Sequence, residues 1–257
     1  MSNFNDRNTW NYRAKQALEE FGARGIDLPK PVLEAVKVME RVEASKPSAP
    51  AQTAIRGAIV AGAPQDQIDR LLLADLGAAR LSSEFSQART DAAGAVLAAI
   101  RAAEPTLQPA LAKLADAAIG KLAQVAALGN VKLDALIRAG RQSDAALLAD
   151  AETTAAELTA LFRLRDEFLV VGGGRALTVN GVNCSVWRDP DAAAQFSKGS
   201  RPVDQYLSGL SANVPLWFPS GSDAIEAATV IAAKRADLAE RKRQQDHGAG
   251  SLTYMSP

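Results

Sequence analysis

A mainly α fold is the expectation for this chain: a multi-helix body, then a small α+β module with a β-hairpin, then a C-terminal helix. Three observations lead to it. Residues 51–171 are rich in Ala and Leu at helical spacing and poor in aromatics. The character changes at Gly172-Gly173-Gly174. Beyond that point Asn180-Gly181 supplies a two-residue hairpin turn, and Trp187, Phe196, Tyr206, Trp217 and Phe218 follow in quick succession. Ala loses no side-chain entropy in a helix but buries little apolar area, so an Ala-rich body requires helices that approach closely.

The elements follow in order. Ser2 to Asn8 reads as a polar arm. Thr9 is an N-cap candidate for a helix over Trp10–Phe21, ended by Gly22. Pro29 and Pro31 open a second helix, with Val32, Val36, Met39 and Val42 on one face. Lys46-Pro47-Ser48-Ala49-Pro50 is a linker. A helix over Ala51–Ala61 stops at Gly62. Pro64 opens another, in which Ile68, Leu72, Leu76 and Ala79 share a face, with a break expected near Ser82-Ser83. The stripe Leu107, Leu111, Leu114, Ala118, Leu122 and Val125 ends at Gly129, and a short helix over Val131–Ala139 closes at Gly140. Ser143 caps a long helix running to Phe168. Its spacings lie near 3.6, which favours a globular bundle over a coiled coil.

After the glycines, Ala176–Val179 and Val182–Trp187 read as hairpin strands. Asp189-Pro190-Asp191 starts a short helix, and Val203–Leu210 is another. Val214–Pro219 is extended between prolines. Asp223 with Glu226 reads as the capping pair of a last helix over Ala224–Gln245. The segments are therefore 1–50, an N-terminal arm and two short helices with a Pro-rich linker; 51–171, the helical body; 172–222, the α+β module; and 223–257, the last helix and a Gly-containing tail from His247.

Composition narrows the function classes. The 257 residues carry 29 basic and 29 acidic side chains, a formal net charge of zero. A phosphate-neutralising surface usually carries a basic excess, so nucleic acid is disfavoured as a partner. A single cysteine, Cys184, allows no intrachain disulfide. The first residues hold no apolar run of the signal-peptide type, and no stretch reaches the ~18 apolar residues of a membrane span. The expected location is cytoplasmic, or a virion.

Each candidate for chemistry has a plainer reading beside it. Gly172-Gly173-Gly174-Arg175 could cradle a phosphate, but it leaves a helix and enters a strand, the reverse of phosphate-binding loops, so a helix C-cap or joint is preferred. His247 is the sole histidine, which rules out a multi-histidine zinc site. Cys184 reads as a small buried residue, and Asp189 with Asp191 as turn and cap chemistry rather than a metal site. Arg163, Arg165, Asp166 and Glu167 read as a solvated helix face. Residues 51–73 loosely resemble a helix-turn-helix with Gln65 and Gln67 facing outward, although Asp66 and Asp69 would oppose phosphates. Lys234, Arg235, Arg241, Lys242 and Arg243 give the last helix a basic end, either solvated or a docking face for an acidic partner. Trp187, Tyr206, Trp217 and Phe218 read as module core, and in part as an interface with Arg241, Lys242 and Arg243.

In general style the polar arm Ser2-Asn3-Phe4-Asn5-Asp6-Arg7-Asn8, the Ala-Leu helices and the hairpin at Asn180-Gly181 resemble Ala-rich virion structural or accessory proteins of phages of high-GC bacteria. That resemblance implies a non-enzymatic head, neck or tail component that assembles with itself or with other structural proteins, without cofactor or metal. Two other classes stay open: a helix-turn-helix regulator acting through residues 51–73, and an enzyme with a site around residues 172–191.

Overall fold

The computed structural model describes residues 4–46, 52–196 and 201–250, with side chains from Trp10 to Gln245 apart from the gaps at 47–52 and 197–200. It is mainly α, 78% helical, with eleven α-helices and a two-stranded antiparallel sheet among the described residues. The chain divides into two compact units, Met1–Thr106 and Leu107–Pro257. The Ala-rich stretch of residues 51–171 is thus shared between both.

The first unit holds α1 (Phe4–Ala23), α2 (Lys30–Ala44), α3 (Gln52–Val60) and α4 (Gln65–Ala102). Both α1 and α2 pack on α4. Their buried residues are small or aliphatic apart from Phe21: Ala14 and Ala17 with Phe21 from α1, Val32 and Met39 from α2, and Ala93, Val96 and Ile100 from α4. Alanines at the contact let helix axes approach closely, as the composition requires. Glu43 accepts from Arg89 Nε at 2.6 Å and from Asn11 Nδ2 at 3.3 Å, which ties α2 to both neighbours.

Two expectations fail in this unit. Helix α1 begins at Phe4, so Thr9 lies inside it and Phe4–Asn8 is not an arm. The polar residues there carry only modest helix penalties. The break expected at Ser82-Ser83 is absent, and α4 runs unbroken for 38 residues. Ser83 turns its hydroxyl back onto the Arg80 carbonyl at 3.2 Å, so its polar group is satisfied inside the helix. Pro29 precedes α2 and Pro64 precedes α4 as expected. Residues 47–50 of the expected linker lie outside the described residues.

The second unit holds most of α5 (Glu104–Leu128), then α6 (Leu133–Arg138), α7 (Gln142–Ala149) and α8 (Ala151–Leu164). The long helix expected from Ser143 to Phe168 is divided. Ser143 lies within α7 rather than at its cap, and Asp150 ends α7 and starts α8. Thr154 bonds its hydroxyl to the Asp150 carbonyl at 2.9 Å, a back-bond that bends helices. At Arg165–Leu169 the helix widens into a π turn.

The chain then turns through Gly172 and Gly173, at φ 86° and 71°, into a 3-10 turn over Gly174–Leu177. That turn replaces the first half of the expected strand and brings Leu177 into the core. The hairpin is short: β1 (Thr178–Val179) pairs with β2 (Val182–Asn183), with Val179 opposite Val182. Asn180 and Gly181 take φ 47° and 77°, the left-handed pair of a type I′ turn. Trp187 bridges only to Leu216. Next come α9 (Pro190–Ala193), α10 (Pro202–Ser211) and α11 (Gly221–Gly250).

Asp189 caps α9 as expected, accepting from the amides of Asp191 and Ala192. The cap of α11 differs from expectation. Ser220 is the cap, with its hydroxyl accepting from the Asp223 amide at 3.2 Å, and Asp223 returns a carboxylate to the Ser220 amide at 3.3 Å. The capping box therefore lies three residues earlier than Asp223–Glu226, with the Ser220 hydroxyl as cap and Asp223 at the third helical position. The helix continues through His247 to Gly250, where a tail was expected, and residues 251–257 lie outside the described residues.

Small residues set the packing of this unit. Ala228 and Ala232 of α11 lie on Val182 and Cys184, so the helix seats directly on the hairpin. The Trp187 ring covers Gly209 of α10, where a Cβ would collide with the ring, its Cζ3 at only 2.7 Å. Thr159 of α8 and Tyr206 of α10 meet hydroxyl to hydroxyl at 3.0 Å.

Gly77 and Gly209 both sit inside helices, yet their surroundings predict opposite responses to Ala. At Gly77 a Cβ meets nothing within 4 Å, so Gly77→Ala should stabilise the fold by about 0.5–1 kcal/mol through helix propensity. Gly209→Ala should destabilise by about 1–3 kcal/mol by overpacking against a rigid indole. Urea unfolding of the two variants checks the pair; the same sign for both would contradict the packing at Gly209.

Candidate functional site

The charged run Arg163–Glu167 is not a solvated face. Arg165 is fully buried, and its neighbour Asp166 is partly buried. The guanidinium Nε donates to Asp166 Oδ1 at 2.7 Å, and Nη2 lies 2.6 Å from the same oxygen. Nη1 donates to the carbonyl of Ser185 at 3.0 Å and to that of Pro219 at 3.3 Å. The cation also lies 5.3 Å from the Phe162 ring centre and 4.8 Å from that of Phe218, and these rings stack on each other at 5.3 Å. Gln108 of α5 donates a second hydrogen bond to Pro219 O at 2.9 Å.

The glycine cluster serves this centre. A Cβ on Gly174 would stand 3.0 Å from Asp166 Oδ2, so the loop closes over that carboxylate. A carboxylate in that place opposes an anion, which speaks against a phosphate cradle at 172–174. Burial raises the Asp166 carboxyl above its ordinary 3.8, with Arg165 opposing the shift. Burial likewise lowers Arg165 from its ordinary value, with Asp166 opposing. In both partners the loss of water outweighs the attraction of the pair.

Above this centre a groove of about 1000 Å³ runs along α11. One wall is the extended segment from Trp217 to Pro219, held in place by the bridge partners of Trp187 and Arg188. The Arg188 amide donates to Pro215 O at 3.1 Å, and the Trp217 amide donates to Val186 O at 3.2 Å. The Trp217 indole N–H donates to Cys184 O at 2.6 Å, and the Arg188 guanidinium lies 5.0 Å over its ring. Trp217 thus has one side in the hairpin core and the other on the groove.

The second wall is α11 itself, whose side chains change character along the axis. Asp223 and Glu226 lie at the start, joined by Asp116 of α5. Val230 and Ile231 follow, with Val230 exposed. Lys234 and Arg235 come next, then exposed Leu238. Arg235 forks onto both carboxylate oxygens of Asp191, which pulls the Asp191 carboxyl below its ordinary range.

The other candidates fall as follows. Trp217 and Phe218 line the groove, while Trp187 and Tyr206 lie away from it against α10 and α8. Arg241 and Lys242 are exposed, three and four residues beyond Leu238 on the same helix face. Arg243 pairs with Glu240 at 3.4 Å. Cys184 is buried, and burial first, then Asp189, holds its thiol above the ordinary range, so it is poorly placed as a nucleophile. Asp189 and Asp191 are engaged as a helix cap and an ion-pair partner, and no metal-ligand cluster occurs among the described residues. In the first unit Gln65 donates to Asp69 at 2.8 Å and Asp66 pairs with Arg70, so the outward face expected of a reading helix is engaged with itself. No described helix is long and apolar enough to cross a membrane.

The comparisons add nothing to this geometry: no protein family, no curated protein and no solved structure matches the chain.

Arg165→Ala should cost about 3 kcal/mol or more, since it strands Asp166 and leaves the Ser185 carbonyl without its guanidinium donor, while Pro219 O keeps only Gln108; chemical denaturation measures it, and a loss below about 1 kcal/mol would contradict a central role. Asp166 should titrate above 3.8 when followed through its carboxyl carbon by NMR. Its folded form holds the proton more tightly than its unfolded form. This group therefore adds stability as pH falls from the folded midpoint towards 3.8, and withdraws it as pH rises through that window.

Proposed function

We propose that the protein is a structural or assembly component that works by docking, and that the groove along α11 receives a segment of another protein. The observation that carries this reading is the order of side chains along one helix face: acidic, apolar, basic, apolar, basic. Such a row selects a partner by register as well as by hydrophobicity. Trp217 supplies a rigid aromatic wall whose only polar atom is already bonded, so its exposed side is free to pack. The basic end at Lys234, Arg241 and Lys242 favours a partner segment that is acidic at that end. The resemblance to phage virion proteins carries the more specific reading, a head, neck or tail component.

Trp217 also belongs to the hairpin core, so Trp217→Ala should weaken folding together with docking. Val230→Glu and Lys234→Glu are cleaner, because both side chains are exposed. The test is a panel of amphipathic helical peptides, apolar in the middle, with acidic or basic ends. Binding is read as the fluorescence change that disappears in Trp217→Phe. Saturable, salt-sensitive binding of the acidic-ended peptides, weakened about tenfold or more by Val230→Glu and by Lys234→Glu, is expected. Equal binding of peptides of either polarity, or no saturable binding by any of them, would refute the groove as a docking site.

A further inference from the structure

The first unit carries a second surface that is independent of the groove. In the first half of α4, Leu72, Leu73 and Leu76 are 41%, 68% and 66% exposed. Leu72 and Leu76, which the spacing assigns to one face, are uncovered within the chain. Residues Gln65, Asp69, Leu73, Leu76 and Arg80 lie on one side of the helix, within a sector of about 80° at 3.6 residues per turn. The apolar pair sits in the middle of that face with a charge at each end.

We infer that this face pairs with the same face of a second copy of the chain, with the two α4 helices antiparallel across a two-fold axis. The register follows from symmetry. An axis midway between Leu73 and Leu76 sets each residue opposite the one whose number completes the same sum, so Leu73 meets the second copy's Leu76 and Asp69 meets its Arg80. Each contact occurs twice, as a two-fold interface requires. Asp69 and Arg80 both stand about 8 Å from the axis along the helix, at 1.5 Å per residue. Over residues 65–84 this register sets no like charges at the same height. Gln65 meets Glu84, Asp66 meets Ser83, and Arg70 meets Ala79. A parallel pairing would set Asp69 on Asp69 and Arg80 on Arg80.

The charge pattern is what selects a copy of this chain over another partner. Among the described residues Arg80 has no ion-pair partner, and Asp69 is held only by the neutral Gln65. An apolar pair flanked by opposite charges at equal distances complements itself when turned end to end. The leucines supply the attraction and the charges set the direction. The patch is small for a permanent interface, so the dimer should depend on concentration.

Sedimentation equilibrium of the full chain over a concentration series tests this. The expected result is a monomer–dimer equilibrium whose dissociation constant rises about tenfold or more in Leu73→Glu, where each change counts twice. Asp69→Arg and Arg80→Asp should each weaken the dimer. The two single variants mixed together, and the double variant alone, should recover it, because both restore opposite charges across the axis. Circular dichroism melts of each variant confirm that the monomer remains folded. A monomer at all concentrations would overturn the inference and point to a different occupant. So would a dimer that Leu73→Glu leaves intact, or charge swaps that fail to rescue each other. None of these outcomes bears on peptide binding in the groove along α11.

Discussion

The second unit is organised around a single buried cation. Removing a guanidinium from water costs several kcal/mol even after relaxation, so the site must return that cost in contacts. Arg165 does so with one carboxylate, two backbone carbonyls and two aromatic faces. The acceptors come from distant parts of the chain: Ser185, just after the hairpin, and Pro219, just before α11. Neither carbonyl is used by a helix or strand ladder; the Ser185 carbonyl is met by Arg165, and the Pro219 carbonyl is shared between Arg165 and Gln108. The guanidinium therefore fixes where the hairpin ends and where the last helix begins. The π turn that carries Arg165 also buries Phe168 and Leu169.

Small residues do the complementary work. Gly174 leaves room for Asp166, Gly209 leaves room for Trp187, and the alanines of α11 let it settle on Val182 and Cys184. With the alanine face of α11 turned inward, its larger apolar residues Val230 and Leu238 are left on the outside beside the groove. The same economy holds in α4, where alanines, Val96 and Ile100 pack in the second half while leucines remain exposed in the first. Bulky apolar side chains that remain outside in a contiguous patch mark surfaces suited to association.

Features governed by neighbouring residues were legible in the sequence. Asn180-Gly181 made the hairpin turn, Asp189 capped α9, and Pro29 and Pro64 set helix starts, because each depends on a few bonds of local backbone. Arg165 was not legible. In sequence it looks the same as Arg163 beside it, and its burial depends on carbonyls 20 and 54 residues away. Leu72 and Leu76 show a different limit. Periodicity correctly assigns residues to a common helix face, but it does not say whether anything in the same chain covers that face. The groove was half legible: Trp217 and Phe218 stood out between their prolines, whereas the part played by Val230, Ile231 and Lys234 required knowing which side of α11 the hairpin takes.

The two surfaces differ in a way that matters for assembly. The pairing proposed for the face of α4 is self-complementary, so it would satisfy that face and stop growth at two. The groove along α11 is polar in the directional sense, acidic at one end and basic at the other, and its complement is a different surface. A contact of that kind stays open at the far side and can be repeated. On the two proposals taken together, the chain would have one closed contact and one open contact: a defined building block and a means of joining it to something else. The open contact is the better anchored of the two, because its aromatic wall is built on the same Pro219 and Phe218 that hold Arg165. Changes to the buried centre should therefore reach the groove through Phe218 and Pro219, without any substitution on the surface that a partner would touch.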